Sequence, residues 1–144
     1  MNKLLVVDDE MNVLYSFQSS LESEDLEVIT ACTGQQGIDL VRQQSPDAVI
    51  LDVRLPDMSG LDAFAHIRKL DPRLPVIVVT AYTTTETAIE AMRQGAYDYL
   101  LKPVDFHQLR DVVGKAVEVS RLSRVPAVIA EEVAENVEAD QIIG

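Results

Sequence analysis

The chain has 144 residues, enough for one domain that buries most of the apolar surface its unfolded form exposes. Hydrophobic residues make up 47% and aromatic residues 5%, which excludes a disordered chain and predicts an aliphatic core. With 12 basic and 24 acidic side chains the formal net charge is −12, which opposes binding to a phosphate backbone and suits a cation site. No apolar stretch approaches the length that spans a bilayer, and the run after Met1-Asn2-Lys3 is too short for a signal-peptide core. A single cysteine, Cys32, rules out an internal disulfide and agrees with a reducing cytoplasm. Its apolar neighbours, residues 29–31, predict that it is buried and inert.

Residues 4–7 read as the first strand, ending in Asp8-Asp9-Glu10. Met11, Leu14, Tyr15, Phe17 and Leu21 then form the apolar face of an amphipathic helix of about three turns. Residues 27–31 make a second strand, and 34–43 a second helix carrying Ile38, Leu40 and Val41. Residues 48–51 are an unbroken apolar run, the pattern of a strand buried on both faces of a parallel sheet. Asp52 stands at its carboxyl end, where open α/β sheets place their ligand sites. Residues 55–60 read as a tight loop, since Pro56 fixes φ and Gly60 relaxes it.

Leu61, Phe64, Ala65, Ile67 and Arg68 carry a third helix, stopped by Asp71-Pro72. Residues 75–79 are a fourth strand ending in Thr80. A fourth helix over 83–94 turns Ala88, Ile89, Ala91 and Met92 inward and closes at Gly95 with a left-handed cap. Residues 97–101 form the fifth strand, terminated by Lys102-Pro103. Asp105 caps a fifth helix bearing Phe106, Leu109, Val112, Val113, Ala116 and Val117. Five buried strands alternating with five helices predict parallel, right-handed βαβ units in a doubly wound α/β sandwich. Beyond Pro126, residues 127–144 hold five acidic residues and no basic one, an acidic helix or linker without a core of its own.

Four of the five strands deliver polar residues to one edge: Asp8 and Asp9, Asp52, Thr80, and Lys102. Three clustered carboxylates repel and raise one another's pKa unless a cation neutralises them. Mg²⁺ fits, being hard and content with a few carboxylates plus waters or phosphate oxygens. A lysine supplies a point charge for a phosphate oxygen, and a hydroxyl supplies a directed donor. A carboxylate nucleophile, a divalent metal, a lysine and a hydroxyl are the parts that phosphoryl transfer requires. Asp52, presented singly, is the candidate nucleophile. His66 and His107 fall on helices away from this edge and read as surface residues.

Four ordered motifs carry a resemblance: Val-Asp-Asp-Glu at 7–10, Leu-Asp-Val-Arg-Leu-Pro-Asp-Met-Ser-Gly at 51–60, Val-Val-Thr-Ala at 78–81 and Tyr-Leu-Leu-Lys-Pro at 99–103. Together they resemble the receiver domain of bacterial two-component response regulators, over about residues 3–120. The resemblance implies a flavodoxin-like sheet of order 2-1-3-4-5. It implies that Asp52 is the phospho-acceptor, and that Asp9, Asp52 and the backbone carbonyl of Arg54 ligate Mg²⁺ directly while Asp8 acts largely through water. Lys102 then pairs with the phosphoryl group, and Pro103 follows a cis peptide that aims it. Thr80 resembles the switch hydroxyl, and Tyr99 the aromatic that turns inward behind it. Arg54 and Tyr82, each two residues past a site position, are bulky and are expected to shield the acyl phosphate from water.

As partners, the resemblance implies a sensor histidine kinase and a second copy of the chain, docked through the fourth helix, fifth strand and fifth helix or through the linker. It implies a cytoplasmic switch that catalyses its own phosphorylation and dephosphorylation, with neither membrane nor nucleic acid touching this segment. Residues 1–122 would be the receiver and 123–144 the linker to an output domain. Asp-Gln-Ile-Ile-Gly at 140–144, with Ala-Tyr-Thr-Thr at 81–84 and Ala-Ile-Glu-Ala-Met at 88–92, is similar to NtrC-like activators of sigma-54 transcription. Two alternatives fit less well. An aspartate-nucleophile phosphatase places its nucleophile at the end of strand one with a second Asp two residues on, whereas Asp8 and Asp9 are adjacent. A phosphate-independent receiver-like interaction module usually loses an acidic residue or the lysine, and this chain keeps them all.

Overall fold

A computed structural model describes residues 2–81 and 85–123. The expected linker beyond Ser123, and Tyr82 with its expected shielding role, therefore lie outside the described residues. The elements run β1 (Asn2–Val7), α1 (Met11–Leu21), β2 (Leu26–Ala31), α2 (Gly34–Gln44), β3 (Ala48–Leu51), α3 (Gly60–Leu70), β4 (Val76–Thr80), α4 (Thr85–Arg93), β5 (Asp98–Leu101) and α5 (Phe106–Ser123). All strand pairs are parallel, in the order β2-β1-β3-β4-β5. The fold is the doubly wound α/β sandwich that the apolar runs and the resemblance predict.

Two apolar clusters explain why the strands read as unbroken runs. Successive side chains of a strand point to opposite faces. Leu4, Val6, Ile50, Ile77 and Val79 therefore face α1 and α5, packing with Leu14, Phe17, Leu109 and Val113. Leu5, Val7, Val49, Leu51, Val76 and Val78 face the other way, onto Ile38, Val41, Phe64 and Ile67 of α2 and α3 and Ala91 of α4. Both faces are covered over the central strands, so β3 and β4 carry no polar alternation.

Helix ends follow local chemistry. Thr33 Oγ1 accepts from the Gln36 amide (3.0 Å), Ser59 Oγ from Leu61 (3.2 Å) and Asp105 Oδ1 from His107 (2.8 Å), capping α2, α3 and α5. Gly95, at φ 96°, closes α4 in the left-handed region. Pro75 has no N–H to give, so β4 begins one residue after the expected start, although the Pro75 carbonyl accepts from Val49 (3.0 Å). No helix among the described residues is long and apolar enough to cross a membrane.

Several apolar side chains lie off the faces expected of them. Met11 and Tyr15 are 69% and 73% exposed. Met11 begins α1 at the sheet's carboxyl edge, and Tyr15 lies about 100° round the helix from buried Leu14. Among the described side chains of α4 only Ala91 is fully inward, while Ile89 and Met92 are half exposed, because the short edge strand β5 offers little sheet to cover. Cys32 is exposed, contrary to expectation. β2 ends at Ala31, so Cys32 has already left the sheet, and its amide and Sγ contact Gln36 Oε1 at 3.0 and 3.4 Å.

Candidate functional site

Parallel register places the strand ends side by side. Val7 pairs with Leu51, and the Asp52 amide donates to the Val7 carbonyl (3.0 Å). The Asp8 amide donates to Ala31 (3.1 Å) and the Lys102 amide to Thr80 (3.0 Å). Residues as many as 94 positions apart in the chain, Asp8 and Lys102, thus reach one edge. Asp8, Asp9 and Asp52 each offer a carboxylate oxygen within 4.8 Å of the others. Lys102 Nζ lies between two of them, donating to Asp8 Oδ2 at 2.5 Å and to Asp52 Oδ2 at 3.0 Å. Asp8 and Asp52 are buried and Asp9 is exposed.

The remaining carboxylate oxygens are held by the backbone: Asp8 Oδ1 accepts from the Glu10 amide (3.0 Å), and Asp52 Oδ1 from Arg54 (3.2 Å). Thr80 ends β4 fully buried, the Lys102–Pro103 peptide is cis, and Arg54 is exposed. Tyr99 is half-buried against the second cluster, and burial raises its phenol above the ordinary value. His66 and His107 are exposed on α3 and α5.

Burial pushes the Asp8 carboxyl up, against hydrogen bonds from Lys102 and the Glu10 amide, and the Asp52 charge adds only the smallest contribution. Lost hydration thus moves this carboxyl more than repulsion from its neighbour does, while the Lys102 ammonium opposes the rise. For Lys102, burial opposes the charge, but hydrogen bonds to Asp8 and Asp52 outweigh it and raise the ammonium above the lysine norm. Three carboxylates against one ammonium leave an excess of negative charge on hard oxygen donors. That donor set fits a small divalent cation such as Mg²⁺.

Two residues of the site escape sequence reasoning. Asp57 accepts from both first amides of α2, Gly34 (2.8 Å) and Gln35 (2.9 Å). No local pattern links positions 57 and 34; only the Thr33-Gly34 helix start hints that amides there need acceptors. Gly60 packs its backbone directly on the end of β3, where a Cβ would meet the Asp52 carbonyl and lie 2.6 Å from Val53 Cα. The sequence suggested a turn glycine there, and the structure requires its small size.

The Gln35 amide, then the Gly34 amide, hold the Asp57 carboxyl below the usual carboxylate range. A carboxyl depressed in the folded state contributes stability above its unfolded pKa and loses it as pH falls through the folded value. The stability gap between wild type and Asp57→Asn should therefore hold from neutral pH to about 4 and close below it. Urea unfolding across pH reads this directly; a gap unchanged into strong acid contradicts it.

An acidic cluster with a bridging lysine, set at the carboxyl edge of a sheet ordered 2-1-3-4-5, is the arrangement of a receiver domain. Residues 4–114 match the response regulator receiver domain, and the chain belongs to that family. It is 37% identical over 123 residues to the regulatory protein AtoC of Escherichia coli (strain K12), covering 85% of this chain and 27% of AtoC. It is 38% identical over 131 residues to the transcriptional regulatory protein ZraR of the same organism, covering 90% of this chain and 30% of ZraR. The chain thus spans less than a third of the length of these relatives. Among solved structures, a response regulator receiver domain protein from Methanospirillum hungatei JF-1 superposes with a TM-score of 0.81 at 28% identity, over 85% of this chain and 98% of that one.

Proposed function

We propose that this chain is the phosphorylation switch of a two-component response regulator, with Asp52 accepting a phosphoryl group from a sensor histidine kinase. The observation that carries the reading is Lys102 Nζ, 3.0 Å from Asp52 Oδ2 and shared with Asp8, at the edge where Asp9 completes the acidic cluster. Asp9, Asp52 and the Arg54 carbonyl would hold Mg²⁺, with Asp8 acting through water; bound there, the ion offsets the charge of the carboxylates and the incoming phosphate.

An Asp52 carboxylate oxygen attacks phosphorus, and the histidine nitrogen of the kinase leaves as an acyl phosphate forms. The Lys102 ammonium, held protonated, moves its hydrogen bond from carboxylate to phosphoryl oxygen. The new group adds roughly two negative charges. Thr80, at the end of the neighbouring strand, supplies a hydroxyl donor to it, and Tyr99 follows into the space that Thr80 leaves. These contacts favour one of two pre-existing arrangements of the segment from Thr80 to α5.

Ile89, Met92 and Leu101 are exposed on α4 and β5, which supports a docking face for a second copy there. Residues 1–122 act as the receiver and 123–144 as the linker to a transcription-activating output domain of the NtrC-like, sigma-54 kind, in the cytoplasm. Any contact with DNA belongs to that output domain.

Intact mass after incubation with a small phosphodonor and Mg²⁺ tests the reading. Wild type gains one phosphoryl group and Asp52→Asn gains none. Absence of the gain in wild type, with Mg²⁺ shown to bind, overturns the switch in favour of a phosphate-independent interaction module.

A further inference from the structure

We infer that Asp57 is a positioning residue for the metal and acceptor site, clamping the tip of the loop that carries Arg54 onto the first turn of α2. The inference rests on the reading of the site proposed above. Residues 53–59 leave the end of β3 and return to α3. Their base is closed by an antiparallel bridge between Arg54 and Ser59 and by the Gly60 amide donating to the Val53 carbonyl (2.6 Å). The tip is tied by Asp57, whose two carboxylate oxygens take one α2 amide each, at 2.8 and 2.9 Å. Two acceptors on two successive amides fix direction as well as distance.

Packing reinforces the clamp. Met58 fills the space beside Gly34, where a Cβ would lie 2.5 Å from Met58 Cγ and 2.8 Å from its sulfur. The loop therefore sits flush on the start of α2. The loop so pinned is the one whose Arg54 amide donates to Asp52 Oδ1 (3.2 Å), and whose Arg54 carbonyl the proposed function assigns to the metal. Groups that hold ligands in place from outside the coordination sphere govern metal affinity because they remove the freedom the ligands would otherwise lose on binding.

The fold supplies its own control. Thr33 caps the same helix by accepting from the Gln36 amide (3.0 Å), an amide that Asp57 does not use. Thr33→Ala weakens the helix start and leaves the Asp57 bonds in place. A merely structural role for Asp57 predicts that the two variants behave alike.

The test titrates Mg²⁺ by calorimetry into the full 144-residue chain as wild type, Thr33→Ala, Asp57→Asn and Asp57→Ala, with urea unfolding and the Mg²⁺ dependence of phosphoryl uptake measured alongside. Asp57→Ala should bind Mg²⁺ about tenfold more weakly than wild type, with uptake restored at saturating Mg²⁺. Asp57→Asn, which keeps one acceptor, falls between and serves if the alanine variant does not fold. Thr33→Ala loses stability and keeps wild-type affinity. Equal Mg²⁺ affinity in the Asp57 and Thr33 variants, whether unchanged or weakened together, overturns the clamp while leaving the site reading intact. Failure of wild type itself to bind Mg²⁺ overturns both.

Discussion

Lys102→Ala should lower stability by about 3 kcal/mol at neutral pH without Mg²⁺, the scale for removing one partner of a buried ion pair. Its side chain is 17% exposed, and those of Asp8 and Asp52 are 3% and 8%, so solvent cannot stand in for the missing ammonium. The two carboxylates would face each other with only their backbone donors, the Glu10 and Arg54 amides. Two conditions should reduce the loss. Acidification lets the stranded carboxyls take up protons, which removes the buried charge. Added Mg²⁺ binds the folded state and stabilises it by mass action. Lys102→Met separates charge from packing, since it keeps most of the apolar stem. Urea unfolding of the three proteins with and without Mg²⁺ is the measurement. A metal-free Lys102→Ala protein as stable as wild type would show that the lysine does not neutralise the cluster.

The second large effect is steric. Gly60→Ala places a methyl group against the Asp52 carbonyl, 2.6 Å from Val53 Cα and 2.8 Å from the Asp52 carbonyl carbon. The three nearest neighbours are all backbone, so no rotating side chain relieves those contacts. The Gly60 amide bond to Val53 holds the two segments together at the same point. Overpacking of this kind costs about 3 kcal/mol. It should also slow phosphoryl uptake, because the displaced backbone is that of the acceptor itself. Gly114→Ala on α5 is the matched comparison: its Cβ meets nothing within 4 Å, and the gain in helix propensity is about 1 kcal/mol. Unfolding midpoints for both variants decide the matter, and a Gly60→Ala midpoint equal to that of wild type would refute the steric account.

The strands and their shared edge were readable from sequence because most are largely apolar runs and four of the five are followed at once by, or end in, a polar residue. Periodicity of the helices was less informative. It told that Met11, Tyr15, Ile89 and Met92 are apolar, yet whether sheet lies beneath a helical position depends on strand width and on where the helix starts. Cys32 was misplaced for a similar reason: one residue past the end of β2, the environment changes from core to solvent. At the site, residue types announced the acidic edge, but the balance of forces within it did not follow from charge counting. Burial outweighs repulsion at Asp8, and Lys102 donates to both Asp8 and Asp52; both are facts of three-dimensional placement. The tie from Asp57 to α2 spans 22 and 23 positions and leaves no periodic trace in the chain.

Lys102 can be regarded as a counter-ion on a tether. Free ions around an acidic cluster thin out when the medium is diluted, because their local concentration follows the bulk. A cation attached to the end of a strand keeps its effective concentration whatever the surroundings. The resting domain is thus neutralised in part by its own chain, and its fold is buffered against swings in ionic conditions. The same tether keeps the charge within reach when a more demanding anion arrives, so no ion has to diffuse in to meet it.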